Sequence, residues 1–421
     1  MELLWACSAI MATSFAATRM VILATRKYRF GIDPFLKTQG VHRQVTPRLG
    51  GIGIFISFSI VCLLLSAFDY KGISREIGAF WLVGAPTFLV GLVEDLTLRV
   101  SVRMRLLVTA LSASLGMLAL GAIIRSVNVP LIDHWVLSCA AFNVAFTLIA
   151  VTGIPHALNV VDGCNGLASS AGLCALLAFA AIAAHYGDSF LLAISLSSAS
   201  AVGGFMIWNF PYGKIFLGDS GSYWLGFTIA ELSVLLVARH PQVSAWFPLL
   251  LVIYPTWETL FSSFRRVRGG LAAVTRPDVR HLHHLVYRRL MLPNLSGVGS
   301  RQRLFANSAT TLPFLCWSAI AALTGVSLAE LPAALMAECI VFVIVYTRAY
   351  RYLAVYRPRR VAHAAFQAVP VLRVAAAGDQ SAVVRADLLD AWPAPHSSGG
   401  GPGFTPALFV EAQFNHAGSE T

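Results

Sequence analysis

The sequence predicts an all-α, polytopic integral membrane protein with about eleven transmembrane helices and its reactive loops on the cytoplasmic face. Three observations predict it. First, charged residues make up only 12% of the 421 residues and hydrophobic types 57%, whereas a soluble globular domain carries about 25% charged residues. Second, the apolar runs are long and continuous rather than alternating, which is the pattern of membrane helices and not of a β-barrel. Third, lysine and arginine fall on alternate loops. The same composition excludes a soluble enzyme of this length and a disordered chain. The formal charge of +11 suits loops facing anionic lipid, and no nucleic-acid motif occurs, so no nucleic-acid partner is expected.

A helix needs roughly 20 apolar residues to cross the hydrocarbon core. The runs that qualify are 3–24, 49–68, 77–93, 104–124, 135–155, 166–185, 189–208, 220–238, 243–262, 307–326 and 331–347. The first lacks a basic segment before it and is followed by Arg26, Lys27 and Arg29. It therefore reads as a retained span with its N-terminus outside, not as a signal peptide. The third span closes on Gly91 to Asp95, the fifth runs into Asn159 to Gly163, the eighth opens on Gly218 to Ser222, and a His-rich segment follows the ninth.

Loops after odd-numbered spans carry 24 of the 31 Lys and Arg residues, and loops after even-numbered spans carry four. That asymmetry places the odd-numbered loops and the C-terminus in the cytoplasm of a plasma membrane. No internal repeat of the kind found in many transporters is evident. The chain divides into a membrane catalytic domain, 1–349, and a tail, 350–421, rich in Ala, Arg and Pro and expected to be largely disordered. The seven cysteines form no CxxC and mostly lie in apolar runs, where they act as small hydrophobes.

Acids are scarce, so their positions carry information. Before the tail, the basic side holds Asp33, Glu94, Asp95, Asp162, Asp219 and Asp278. Taken singly, each polar island has an ordinary explanation as a turn, a helix cap or a solvated helix end. All of them meeting on one side, beside abundant Arg and His, suggests a divalent cation and a phosphorylated ligand. Mg²⁺ is commonly held by one or two carboxylates together with substrate phosphates, and Arg makes bidentate phosphate contacts. His281, His283 and His284 lie in a basic segment with no nearby cysteine, which favours a phosphate-facing cluster over a zinc site.

Five motifs in order resemble those of the polyprenyl-phosphate N-acetylhexosamine-1-phosphate transferases. They are Val41-His42-Arg43 with Thr46-Pro47-Arg48-Leu49-Gly50-Gly51; Gly91 to Asp95; Asn159-x-x-Asp162-Gly163-x-x-Gly166-Leu167; Asn209 through Lys214 to Ser222; and Arg276-Pro277-Asp278 with His281-Leu282-His283-His284. The resemblance covers roughly residues 1–350. It implies transfer of a sugar-1-phosphate from a UDP-N-acetylhexosamine to undecaprenyl phosphate, giving undecaprenyl-diphospho-sugar and UMP. It also implies a requirement for Mg²⁺, with Mn²⁺ as an alternative ion, and leaves a homodimer open. The His-x-His-His form is similar to bacterial inner-membrane enzymes that begin O-antigen, common antigen or teichoic acid synthesis. It is less like the peptidoglycan enzyme that transfers phospho-MurNAc-pentapeptide.

By the same resemblance Asp219 is the main metal ligand, with Asp95 beside it, and Glu94, Asp95, Asp162 and Asp219 are the catalytic carboxylates. Asn159 and Asp162 line the nucleotide-sugar site. Asn209 and Phe216 hold the uridine part, His281, His283 and His284 face the diphosphate, and Arg48 and Arg43 contact phosphate. Position 94 is Glu where the family usually shows Asp, so its carboxylate reaches one methylene further. The main rival reading is a transporter or flippase, which would place its ionisable residues near the bilayer midplane. Arg19, Glu231, Glu258 and Glu338 lie inside spans, but the motif carboxylates sit at one rim, which favours surface chemistry.

Overall fold

The computed structural model describes residues 2–31, 46–135, 138–268, 278, 280–294, 300–355, 371–374 and 382–385. The chain separates into two units, residues 1–358 and 359–421. The described residues of the first unit are mostly helical. Its helices are α1 (Glu2–Tyr28), α2 (Gly50–Ala67), α3 (Ser74–Thr97), α4 (Val102–Leu120), α5 (Pro130–Trp135), α6 (Ala140–Val161) and α7 (Leu167–His185). They continue with α8 (Ser189–Asn209), α9 (Gly218–Arg239), α10 (Trp246–Leu251), α11 (Ile253–Arg268), α12 (Leu282–Val286), α13 (Ser300–Ser327) and α14 (Pro332–Val355). Among the described residues ten of these helices are long and apolar enough to cross a membrane.

The ninth expected span, 243–262, is not one uninterrupted helix. It is the pair α10 and α11, broken at Val252, whose φ and ψ are −108° and 16°. The pair nevertheless joins the two ends of the bundle. At one end the Ser244 N–H donates to the Ala329 carbonyl at 2.8 Å and the Trp246 indole to Val127 at 2.9 Å. At the other end Ser262 and Arg265 hold Asp278. Residues 127 and 329 belong to loops expected after even-numbered spans, and 278 to one expected after an odd-numbered span. The fifth span lies further along than expected, at Ala140–Val161 rather than 135–155, after the short α5. The last helix runs past 349 to Val355. The tail lies mostly outside the described residues. Its described part is an antiparallel hairpin, β1 (Val371–Val374) with β2 (Ala382–Arg385).

The centre of the bundle is α9, which is buried along nearly its whole length. A helix apolar on every face belongs inside, and α3, α6, α2 and α7 surround it. Outer helices instead present large apolar side chains outward, such as Leu118 at 84% exposed on α4, Ile149 at 71% on α6 and Leu323 at 72% on α13. In water such surfaces would drive aggregation; in lipid they are solvated. The even-numbered end is sealed by an ion-pair cluster: Arg239 holds Asp188 at 2.7 Å and Glu76 at 2.9 Å, and Asp188 also caps α8 through the Leu191 N–H at 3.0 Å. The odd-numbered end gathers the motif residues.

Candidate active site

Residues 47–51 and 216–217 are joined by backbone hydrogen bonds. The Phe216 N–H donates to Pro47 at 2.8 Å, and the Gly50 and Gly51 N–H groups donate to Phe216 and Leu217 at 3.0 Å each. This fixes Arg48 against the start of α9. Gly218 then takes a φ of +77°, with the Arg48 carbonyl where a Cβ would stand, so only glycine fits. Gly91 on α3 permits a similar approach, since a Cβ there would lie 2.5 Å from the Ser220 backbone.

That approach puts Asp95 under the first turn of α9. Helix α9 has no cap of its own, and Asp95 supplies one from α3. Its Oδ1 accepts the Asp219 N–H at 2.9 Å, and its Oδ2 accepts the Ser220 N–H at 2.9 Å and the Ser220 hydroxyl at 2.7 Å. A carboxylate there satisfies orphan amides and meets the positive end of the helix dipole. Asp95 is 2% exposed, so both oxygens are engaged in holding α9.

Asp219, one residue into α9, turns toward the rim. Its carboxylate receives Arg48 Nη2 at 3.1 Å, Arg105 Nη1 at 2.7 Å and Asn159 Nδ2 at 3.1 Å. Arg105 arrives there because α3 ends in left-handed Leu98, Glu94 Oε2 accepts the Val100 N–H at 2.8 Å, and Ser101 caps α4 through Met104 at 3.2 Å. Arg105 also donates to the Tyr223 hydroxyl at 3.1 Å and lies 4.0 Å from Glu94. Asn159 donates its second hydrogen bond to Ser222 at 2.9 Å. Asp162 follows α6 directly. Burial, then the charges of Asp219 and Asp95, push its carboxyl up to about 7 against the pull of Arg48 and the Gly218 N–H. Three carboxylates and two arginines thus share one small volume.

The histidine segment adjoins it. His283 and His284 lie over Gly163, where a Cβ would come within 2.6 Å of His283 Nε2. His283 is fully buried. Burial, with His284 and His281 nearby, holds it well below the ordinary imidazole range. His284 is pushed down to about 4 by burial and by His281 and Arg288. His281 lies further back, its Nδ1 3.0 Å from Glu258. Asp278 sits below the usual carboxylate range: burial would raise it, but Ser262, the Arg280 N–H, His281 and Arg265 outweigh that.

The structure therefore brings Arg48, Asp95, Asn159, Asp162 and Asp219 into one network, with Glu94 at its edge and the histidines against Gly163. Phe216 is half-buried beside Gly50. Asn209 is tied to the backbone by one bond on each amide atom: its Oδ1 accepts the Gly166 N–H at 2.7 Å and its Nδ2 donates to the Ile215 carbonyl at 2.7 Å. Arg43 lies outside the described residues, as do Arg276 and Pro277. Sequence reasoning passed over Arg105, Tyr223, Tyr254 and Glu258. Arg105 was hidden among the basic residues of its loop. Glu258 carried a signal, because an acid inside an apolar span usually has a function and a partner.

A family model described as glycosyl transferase family 4 matches residues 77–237. That stretch includes Asp95, Asn159, Asp162, Asn209 and Asp219 and excludes Arg48 and the histidines. The chain is 30% identical to the probable undecaprenyl-phosphate N-acetylglucosaminyl 1-phosphate transferase of Bacillus subtilis, over 61% of this chain and 68% of that one. It is 29% identical to the undecaprenyl-phosphate alpha-N-acetylglucosaminyl 1-phosphate transferase of Thermotoga maritima, over 66% and 79%. Similarity extends to the phospho-N-acetylmuramoyl-pentapeptide-transferase of Lactococcus lactis, 30% identical over 52% and 68%.

Proposed function

Because the chain belongs to glycosyl transferase family 4, we propose that it transfers an N-acetylhexosamine-1-phosphate from a UDP-sugar to undecaprenyl phosphate, releasing UMP. The observation that carries this reading is the meeting of Asp219, Asp162, Arg48 and Arg105 at the start of α9. Both reactants are anions, so a transfer site must supply positive charge and orient two phosphates.

The residues fit a magnesium ion. Asp219 and Asp162 are hard oxygen donors, and a crowded carboxylate such as Asp162 gains from a cation. No group of three or more His, Cys, Asp or Glu at metal-holding spacing occurs among the described residues, as suits an ion completed by substrate phosphates. Asp219 and Asp162 would hold it, and bound there it would neutralise the diphosphate and the leaving UMP. Asp95 enters as the group that fixes Asp219 rather than as a ligand. Arg48 and Arg105, which pair with Asp219, are placed to turn to phosphate oxygens when substrate arrives. Glu94, at the edge of this network 4.0 Å from Arg105, would accept a proton from the lipid phosphate. The excess of basic residues at this end supports a cytoplasmic site in a bacterial inner membrane. There a lipid acceptor keeps its tail in the bilayer while its headgroup meets a soluble nucleotide.

The test is a transfer assay on detergent-purified protein with undecaprenyl phosphate, Mg²⁺ and a panel of UDP-sugars that includes UDP-GlcNAc and UDP-MurNAc-pentapeptide, following UMP and lipid-linked product. Product that requires Mg²⁺ and disappears in Asp219→Ala supports the proposal. A folded wild-type protein that releases no UMP with any donor rejects it.

A further inference from the structure

Helix α11 carries a polar stripe. Tyr254, Glu258, Ser262 and Arg265 recur at the spacing that keeps side chains on one helical face. Each takes a partner in the segment 278–283, and the partners run in the opposite order. Arg265 and Ser262 hold the Asp278 carboxylate. Glu258 Oε1 meets His281 Nδ1 at 3.0 Å, and Glu258 Oε2 accepts the Leu282 N–H at 3.0 Å, one of the amides that α12 leaves without an intrahelical partner. The Tyr254 hydroxyl meets His283 Nδ1 at 3.0 Å.

The three histidines are not equivalent in this arrangement. The His281 ring has Glu258 on one nitrogen and Asp278 3.8 Å from the other, so both of its polar edges face carboxylates. His283 Nε2 and His284 Nδ1 have no hydrogen-bond partner among the described residues, and both rings lie over Gly163, next to Asp162. A buried nitrogen without a partner is costly unless a ligand or water completes it.

We propose that Glu258, His281 and Asp278 form a carboxylate–imidazole–carboxylate clamp, and that Glu258 is a positioning residue. Through this clamp Glu258 sets His283 and His284 to meet a substrate phosphate beside Asp162. His281 is part of the clamp and does not touch substrate. This rests on the phosphotransfer reading above. Removing a carboxylate that orients a working imidazole typically costs about 10–100-fold in activity.

The test uses the full-length protein in detergent, with Glu258→Gln, Glu258→Asp, His281→Asn and the Glu258→Gln/His281→Asn double variant. Two readouts are taken: kcat and KM for the UDP-sugar, and carbethoxylation of each histidine by diethyl pyrocarbonate, followed by peptide mass spectrometry. In Glu258→Gln the expected fall in kcat is about 10–100-fold, with KM nearly unchanged, and Glu258→Asp recovers a large part of it. The double variant loses no more than His281→Asn alone, because the two act as one unit. His281 is slow to react in the wild type and becomes reactive in Glu258→Gln. Losses that multiply independently, or an unchanged His281 reactivity, overturn the proposal. If Glu258→Gln does not fold, Asp278→Asn removes the other side of the clamp and is read in the same way. Should the wild type turn over no donor at all, the functional reading fails, and the footprint of His281 still decides the clamp.

Discussion

Asp95→Asn separates holding a helix from doing chemistry. The amide has nearly the shape of the carboxylate but only one acceptor oxygen. Asp95 accepts three hydrogen bonds on two oxygens, from the Asp219 N–H, the Ser220 N–H and the Ser220 hydroxyl. Turned to keep both Ser220 bonds, the amide sets its NH₂ against the Asp219 N–H. Turned the other way, it sets its NH₂ against the Ser220 N–H, and the Ser220 hydroxyl is left to accept from it. At least one buried donor is therefore left unpaired, at about 1–3 kcal/mol. Loss of negative charge at the start of α9 adds about 0.3–2 kcal/mol. Stability should fall by about 1–5 kcal/mol in all. Activity should fall with it, because Asp219 rides on the same turn, and a shift of about 1 Å in a reacting group costs about 100-fold. The assay is the apparent thermal midpoint in detergent at a fixed scan rate, paired with turnover of the same preparation. A variant as stable as wild type yet inactive would refute the capping argument and return Asp95 to the chemistry.

Asp219→Ala should lower turnover by at least about 100-fold; it also strips Arg48 and Arg105 of this buried carboxylate, so the thermal midpoint should fall as well, and a folded variant that keeps wild-type turnover would overturn the assignment. Glu231, fully buried on α9 with neither oxygen partnered among the described residues and set against Gly116, should be a stability defect. Glu231→Leu should raise stability by about 1–3 kcal/mol, read as a higher thermal midpoint, and leave kcat alone. A drop in activity instead would give that carboxyl a use. Chelation of divalent ions should stop UMP release, and adding back Mg²⁺ should restore it; release that continues in excess EDTA would exclude the cation. Truncation near residue 360 should leave transfer intact, and a folded but inactive truncated protein would overturn that.

Much of this molecule was legible in its sequence because lipid imposes a local rule. A span must be apolar for roughly 20 residues in a row whatever lies beside it, so the positions of most of the helices could be read directly. The alternation of basic loops sorted the polar islands onto one end, and the structure joins them there. The break at Val252 was not legible, since an apolar run reads the same whether its helix is straight or divided.

What each polar side chain does was settled only in three dimensions. Asp95 and Asp219 are both rim carboxylates in the sequence. The fold turns Asp95 inward to cap α9 and Asp219 outward to two arginines, one of them 114 residues away. Asn209 spends its amide on the Gly166 and Ile215 backbone. Glu258 looked like an isolated acid in a span until α11 met the histidine segment. Hydropathy is a property of neighbours along the chain, whereas a hydrogen-bond partner is chosen by packing. The sequence determined where polar atoms enter the membrane end, and the tertiary structure decided which of them are occupied with one another and which are left for a ligand.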